Sequence, residues 1–103
     1  MSPDLIQGSK APAATGTPEP LSATSLSVRR VMIQAHRAAR AANAGNVWLG
    51  TTSTNDAQLW RLQPWETLTI EGVIEDGIQK EIDLSTIYVD AETLTDGVAF
   101  IAQ

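Results

Sequence analysis

Apolar and polar residues alternate with a period of two along most of the chain beyond residue 25. Val31, Ile33 and Ala35 alternate with Met32, Gln34 and His36, the pattern of a strand with one buried face. Leu26 and Val28 alternate in the opposite phase, and the Arg29-Arg30 pair between Val28 and Val31 breaks the phase, as a β-bulge or a strand junction would. Val47-Trp48-Leu49 predicts a second strand, entered through Asn43-Ala44-Gly45-Asn46 and left at Gly50. Gln58 to Leu62 is a third, and Thr67 to Ile70 a fourth, with Leu68 and Ile70 on one face. Val73-Ile74 and Ile78 to Ile82 flank Glu75-Asp76-Gly77, an Asp-Gly hairpin signal. Ile87-Tyr88-Val89 and Val98 to Ile101 flank a second Asp-Gly turn at Asp96-Gly97. Short strands punctuated by closely spaced turns predict an all-β protein, a small β-sandwich or barrel-like domain. Residues 35–44 have the alanine and arginine content of a helix; the segment is read as a strand end plus a loop with room for one helical turn.

The pattern stops short of the N-terminus. Residues 1–24 hold four of the five prolines, Pro3, Pro12, Pro18 and Pro20, with Gly8, Gly16 and scattered Ser, Thr and Ala. Such a composition buries too little apolar surface to offset the entropy of ordering. The segment therefore predicts an extended N-terminal arm over 1–24, preceding a β-sandwich domain over 25–103. Its partner-binding candidates are Pro3, Leu5, Ile6, Pro12, Pro18, Pro20 and Leu21, and it is expected to gain its shape against a neighbouring chain. A sheet domain of the remaining length buries only about 60% of its unfolded surface. Association is the common remedy where metals and disulfides are missing.

Composition narrows the function classes. The chain has 103 residues, a net charge of −5, no cysteine and one histidine. Disulfides, thiolate metal sites and cysteine nucleophiles are excluded. One histidine is too few for a multi-histidine metal centre and makes a hydrolytic triad a poor fit. An acidic chain is a poor nucleic-acid binder. No apolar run reaches membrane-spanning length, and no signal peptide is evident. The expectation is a non-enzymatic protein that needs no cofactor and binds neither nucleic acid nor membrane.

Charge is unevenly placed. Residues 1–50 carry five basic and two acidic groups, and residues 51–103 two basic and ten acidic ones. Arg29, Arg30, Arg37 and Arg40 form the basic cluster, which in a closed homo-oligomer would face a neighbour's acidic loops. Glu75 and Asp76 fall at an expected hairpin tip, and turn chemistry accounts for Asp76 and Asp96. His36 is expected at a surface or interface. Of the tryptophans, Trp48 and Trp60 are expected in the core. Trp65, in the turn Gln63-Pro64-Trp65-Glu66, is expected to be an exposed contact.

Taken in order, Asn43-Ala44-Gly45-Asn46-Val47-Trp48-Leu49-Gly50, Leu62-Gln63-Pro64-Trp65-Glu66, Asp83-Leu84-Ser85-Thr86-Ile87-Tyr88-Val89 and Asp96-Gly97-Val98 resemble the small β-sandwich virion proteins of tailed bacteriophages. The resemblance covers about residues 25–103, and Trp65 stands where that pattern usually has glycine. Its motifs are turn and core residues rather than chemistry. It implies a phage capsid decoration (cement) protein on the outside of the head, binding the major capsid protein, homo-oligomeric with a trimer favoured. The arm, roughly 70–80 Å when stretched, would tie neighbouring capsid subunits together. The alternatives are a neck, tail or fibre-associated virion protein, or a carbohydrate- or receptor-binding β module that uses an exposed tryptophan.

Overall fold

The structure, a computed structural model, describes residues 5–37, 40–54 and 58–103. Twelve strands are found among them: β1 (Ile6–Lys10), β2 (Glu19–Pro20), β3 (Ser27–Val28), β4 (Arg30–Ala35), β5 (Val47–Gly50), β6 (Trp60–Leu62), β7 (Thr67–Glu71), β8 (Ile74–Glu75), β9 (Ile78–Gln79), β10 (Ile82–Asp83), β11 (Tyr88–Ala91) and β12 (Val98–Ala102). One 3-10 turn at Leu84–Thr86 precedes β11. Two four-stranded antiparallel sheets make the body, in the orders β1-β12-β4-β7 and β2-β11-β5-β6, with two-stranded ribbons β10-β3 and β8-β9 beside them. The chain is all-β, as its period-two patterning predicts.

The core is the inward row of each strand. Val31, Ile33 and Ala35 of β4 and Val98, Phe100 and Ala102 of β12 meet Val47 and Leu49 of β5, Leu62 of β6, and Val89 and Ala91 of β11. Leu21, Val28, Leu84 and Ile87 close the ends. Val28 and Val31 are both buried, and the intervening Arg29 absorbs the change of phase between β3 and β4. Leu68 and Ile70 lie on one face of β7, packed against the core but half-exposed.

Residues 5–24 behave differently from the expected arm. β1 pairs with β12 over five residues, Ile6 opposite Ala102 through Lys10 opposite Val98, and β2 pairs with β11. Pro12, Pro18 and Leu21 are buried. The connecting loop is tied down by its own polar groups. Lys10 Nζ lies 2.9 Å from Glu19 Oε1, the Ala13 amide donates to Glu19 Oε2 at 2.5 Å, and the Gly16 amide donates to Asp90 Oδ1 at 2.9 Å. The leader supplies one edge strand to each sheet, so composition placed a boundary at residue 24 that the sheets run across. A proline-rich segment can be ordered this way because the sheets offer ladder partners and a ready-made apolar floor, neither of which a composition argument sees.

Two tryptophans also depart from expectation. Trp60 is 60% exposed and Trp48 only half-buried. Trp48 pairs with Arg61 and Asp90 on the outer face of its sheet, because it alternates with the inward Val47 and Leu49. The loop after β4 is a turn in its described part: the Arg40 amide donates to the Arg37 carbonyl at 3.0 Å, and Arg40 has φ 62°. Residues 38 and 39 of the segment weighed for a helical turn lie outside the described residues.

Candidate interaction surface

The motifs that carry the virion-protein resemblance turn out to be joints. Asp96 is fully buried and accepts three hydrogen bonds: from the Ala44 amide at 2.9 Å, the Gly45 amide at 2.8 Å and Arg37 Nε at 3.0 Å. Burial pushes its carboxyl pKa up, but the two amides and the guanidinium outweigh that and hold it below the ordinary value. Asn43, also buried, joins the same loop to Gly97. Asp96-Gly97 is thus no hairpin turn. It is the clamp that fastens the loop before β5 to the start of β12, and the strands on either side of it, β11 and β12, lie in different sheets.

Asp83 plays the corresponding part at the other end. Its side chain accepts from the Ser25 hydroxyl at 2.5 Å, the Leu26 amide at 3.1 Å, and the amide and hydroxyl of Ser85 at 2.9 and 2.8 Å. These donors, the Ser25 hydroxyl foremost, hold its pKa far below the ordinary range. The Asp-Leu-Ser motif therefore caps the 3-10 turn and pins the approach to β3.

The expected basic cluster is divided by the fold. Arg29 and Arg30 sit at one end of β4, where Arg30 lies 4.0 Å from Glu71. Arg37 and Arg40 follow the other end, about 20 Å away at the usual strand rise. Arg37 is committed to Asp96 within the chain, which removes it from the set available to a neighbour. Arg29, Arg30 and Arg40 are exposed. Among the leader candidates, Leu5 is 64% exposed and Ile6 and Pro20 are half-buried. Pro12, Pro18 and Leu21 face the protein's own interior, and Pro3 lies outside the described residues.

Trp65 is 46% exposed and is held in an unusual backbone. The Glu66 amide donates to the Gln63 carbonyl at 3.0 Å, closing a turn with Pro64 second and Trp65 third. Trp65 has φ 69°, so this is the type II arrangement whose third position favours glycine. The indole stacks on His36 with ring centroids 5.0 Å apart and planes at 25°. Trp65 thus stays partly exposed while stacked on His36.

A feature that sequence reasoning missed lies on the outer face of the β1-β12-β4-β7 sheet. Met32 and Ile101, opposite each other in the register, are 44% and 39% exposed. Gln7, Gln34, Ala99 and His36 surround them in a depression with no charged lining residue; Trp65 is stacked on His36 at its edge, and Arg40 lines the adjoining hollow beside Gln7, His36 and Ala99. Met32 and Ile101 were legible as the second phase of strands whose first phase fills the core. A second apolar group projects from the β8-β9 hairpin, where Val73, Ile74 and Ile78 are 63%, 72% and 68% exposed. Its tip has the Asp-Gly chemistry expected, with φ 53° at Asp76 and 77° at Gly77.

Among the described residues no group of three or more metal-ligating side chains is found. Among the described residues the His36 ring makes one hydrogen bond, Nδ1–H donating to the Arg37 carbonyl at 2.8 Å. No helix of the described residues is long and apolar enough to cross a membrane. Comparison with known protein families, with curated proteins and with solved structures finds no match for this chain.

Proposed function

We propose that this chain is a virion structural protein of a tailed bacteriophage, a capsid decoration (cement) protein that docks on the outside of the head through a rigid sheet face. The observation that carries the reading is the uncharged depression around Met32 and Ile101 on the outer face of the sheet, with Trp65 stacked on His36 at its edge and the charged Arg30, Glu71 and Arg40 outside it. Exposed apolar side chains framed by neutral polar ones are what a protein-binding patch requires. The resemblance of the loop motifs to those of small virion sandwiches supports the same reading, and in this chain those residues lock the loops at both ends of the sheets. The working part is a stiff plate rather than a strap, since the leader is already spent in the sheets. Many copies, each bound modestly, would reinforce a shell by multivalency. A homo-oligomer remains part of the proposal, with the major capsid protein as the partner.

The experiment is co-sedimentation of the purified protein with empty heads of the cognate phage, beside isolated tails. Saturable binding to heads is expected. Met32→Glu with Ile101→Glu should weaken it at least tenfold, about 1.4 kcal/mol, while leaving the circular dichroism spectrum unchanged. Binding to tails alone would move the protein to the neck or tail. Undiminished head binding by the double variant would remove this face from the mechanism.

A further inference from the structure

Strand β7 (Thr67–Glu71) is the outermost strand of its sheet. The Ala35 amide donates to the Glu66 carbonyl and the Gly72 amide to the Arg29 carbonyl, each at 3.0 Å. In an antiparallel ladder the residues bonded to a given neighbour recur at every second position. Leu68 and Ile70 therefore turn their backbone groups toward β4, and Thr67, Thr69 and Glu71 turn theirs outward. Among the described residues nothing hydrogen-bonds to those outward groups.

Of the other three edges of the four-stranded sheets, β2 and β6 are defended, while β1 matches β7 in length and in its single terminal charge and differs in being weakened by Gly8. β2 is two residues long and ends in Pro20, β6 is three residues long with Arg61 at its centre, and β1 carries Gly8 and Lys10. Shortness, proline and charge are the usual devices against edge pairing. β7 has five residues, no proline and no charge before Glu71. Its Thr-Leu-Thr-Ile run is strongly β-forming.

We propose that β7 pairs antiparallel with β7 of a second copy of this chain, across a two-fold axis at Thr69. The register is fixed by which residues offer outward backbone groups. Thr69 then lies opposite the partner's Thr69, Thr67 opposite the partner's Glu71, and Leu68 opposite the partner's Ile70. Polar positions meet polar ones and apolar positions meet apolar ones. The half-buried Leu68 and Ile70 join the two cores on one face, while threonine and glutamate share the other. The two Glu71 side chains stand about 13 Å apart along the strands, beyond the roughly 8 Å screening length at physiological salt. Extended past Gly72, the same register brings the exposed Val73 beside the partner's Trp65. The contact is isologous and closes on itself. It does not depend on what the Met32 face binds.

Sedimentation velocity across a concentration series, with amide exchange on the same unmodified protein, tests this. A dimer is expected, with exchange at the Thr67, Thr69 and Glu71 amides slowing as concentration rises. The Leu68 and Ile70 amides should be protected throughout. Thr69→Pro removes only an outward donor and should raise the dimer dissociation constant at least tenfold; Thr69→Lys serves the same end through charge. A single copy at all concentrations, or a trimer or dimer whose three outward amides exchange at rates independent of concentration, would overturn the proposal.

Discussion

Asn43 and Gly97 exchange two hydrogen bonds inside the protein: Asn43 Nδ2 donates to the Gly97 carbonyl at 2.8 Å, and the Gly97 amide donates to Asn43 Oδ1 at 3.1 Å. The side-chain amide behaves as a length of strand, satisfying a backbone unit that would otherwise be buried without a partner. Asn43→Ala should lower stability by about 2–3 kcal/mol, the cost of stranding buried polar groups. Chemical denaturation measures it. A loss under 0.5 kcal/mol would show that water replaces the amide.

Asp96 completes that joint, and its removal leaves two amides and a partly buried guanidinium unpaired. Asp96→Ala is expected to cost about 3–5 kcal/mol, more than Arg37→Ala, which leaves the two amide bonds in place. Gly97 is constrained for a different reason. A Cβ there would lie 2.3 Å from the Lys10 carbonyl oxygen, so Gly97→Ala must push β1 away. The test is whether Gly97→Ala raises exchange at the β1 amides first.

Acid should destabilise the fold through three carboxylates. Asp96, Asp83 and Glu19 all have pKa values below their ordinary ones in the folded chain, because hydrogen-bond donors favour the charged form. Folding therefore binds fewer protons than the unfolded chain, and the stability these groups contribute is present above the ordinary carboxylate range. It is lost as pH falls from about 4 through the lowered folded values. The melting temperature should be flat from neutral pH to about 5 and fall below that. In Asp83→Asn the slope should be shallower; an identical slope would mean that Asp83 titrates normally.

Trp65 carries two opposed terms. Its left-handed backbone, φ 69°, costs about 1–2 kcal/mol relative to glycine, while its stack on His36 returns about 0.5–1.5 kcal/mol. Trp65→Gly should therefore change stability by less than about 1 kcal/mol, whereas Trp65→Val, which is β-branched and cannot stack, should cost about 2. Equal losses for the two variants would count against strain in this turn.

The leader is expected to be indispensable to folding. Leu21 is 5% exposed, and its truncation to alanine should cost about 2–4 kcal/mol. Removing residues 2–24 exposes β12 and β11 as new edges and should leave a chain that aggregates. A deletion variant that stays monomeric and melts cooperatively would restore the picture of a detachable arm.

The strand pattern by itself determined the all-β class, the inward rows of β4, β5 and β7, and the Asp76-Gly77 hairpin. Alternation and turn chemistry are local, so they are written in consecutive residues. The tertiary structure alone decided what the proline-rich leader does, because its order comes from ladders with β12 and β11, whose residues lie far along the chain, as Ile6 opposite Ala102 and Pro20 opposite Tyr88 show. It also decided that Asp96 is a clamp rather than a turn residue, that the arginines fall at two ends of a strand, and that β7 is left as an undefended edge. Each of these depends on which strands become neighbours, and neighbourhood across long separations is set by the joint burial of all the apolar rows, not by any one of them.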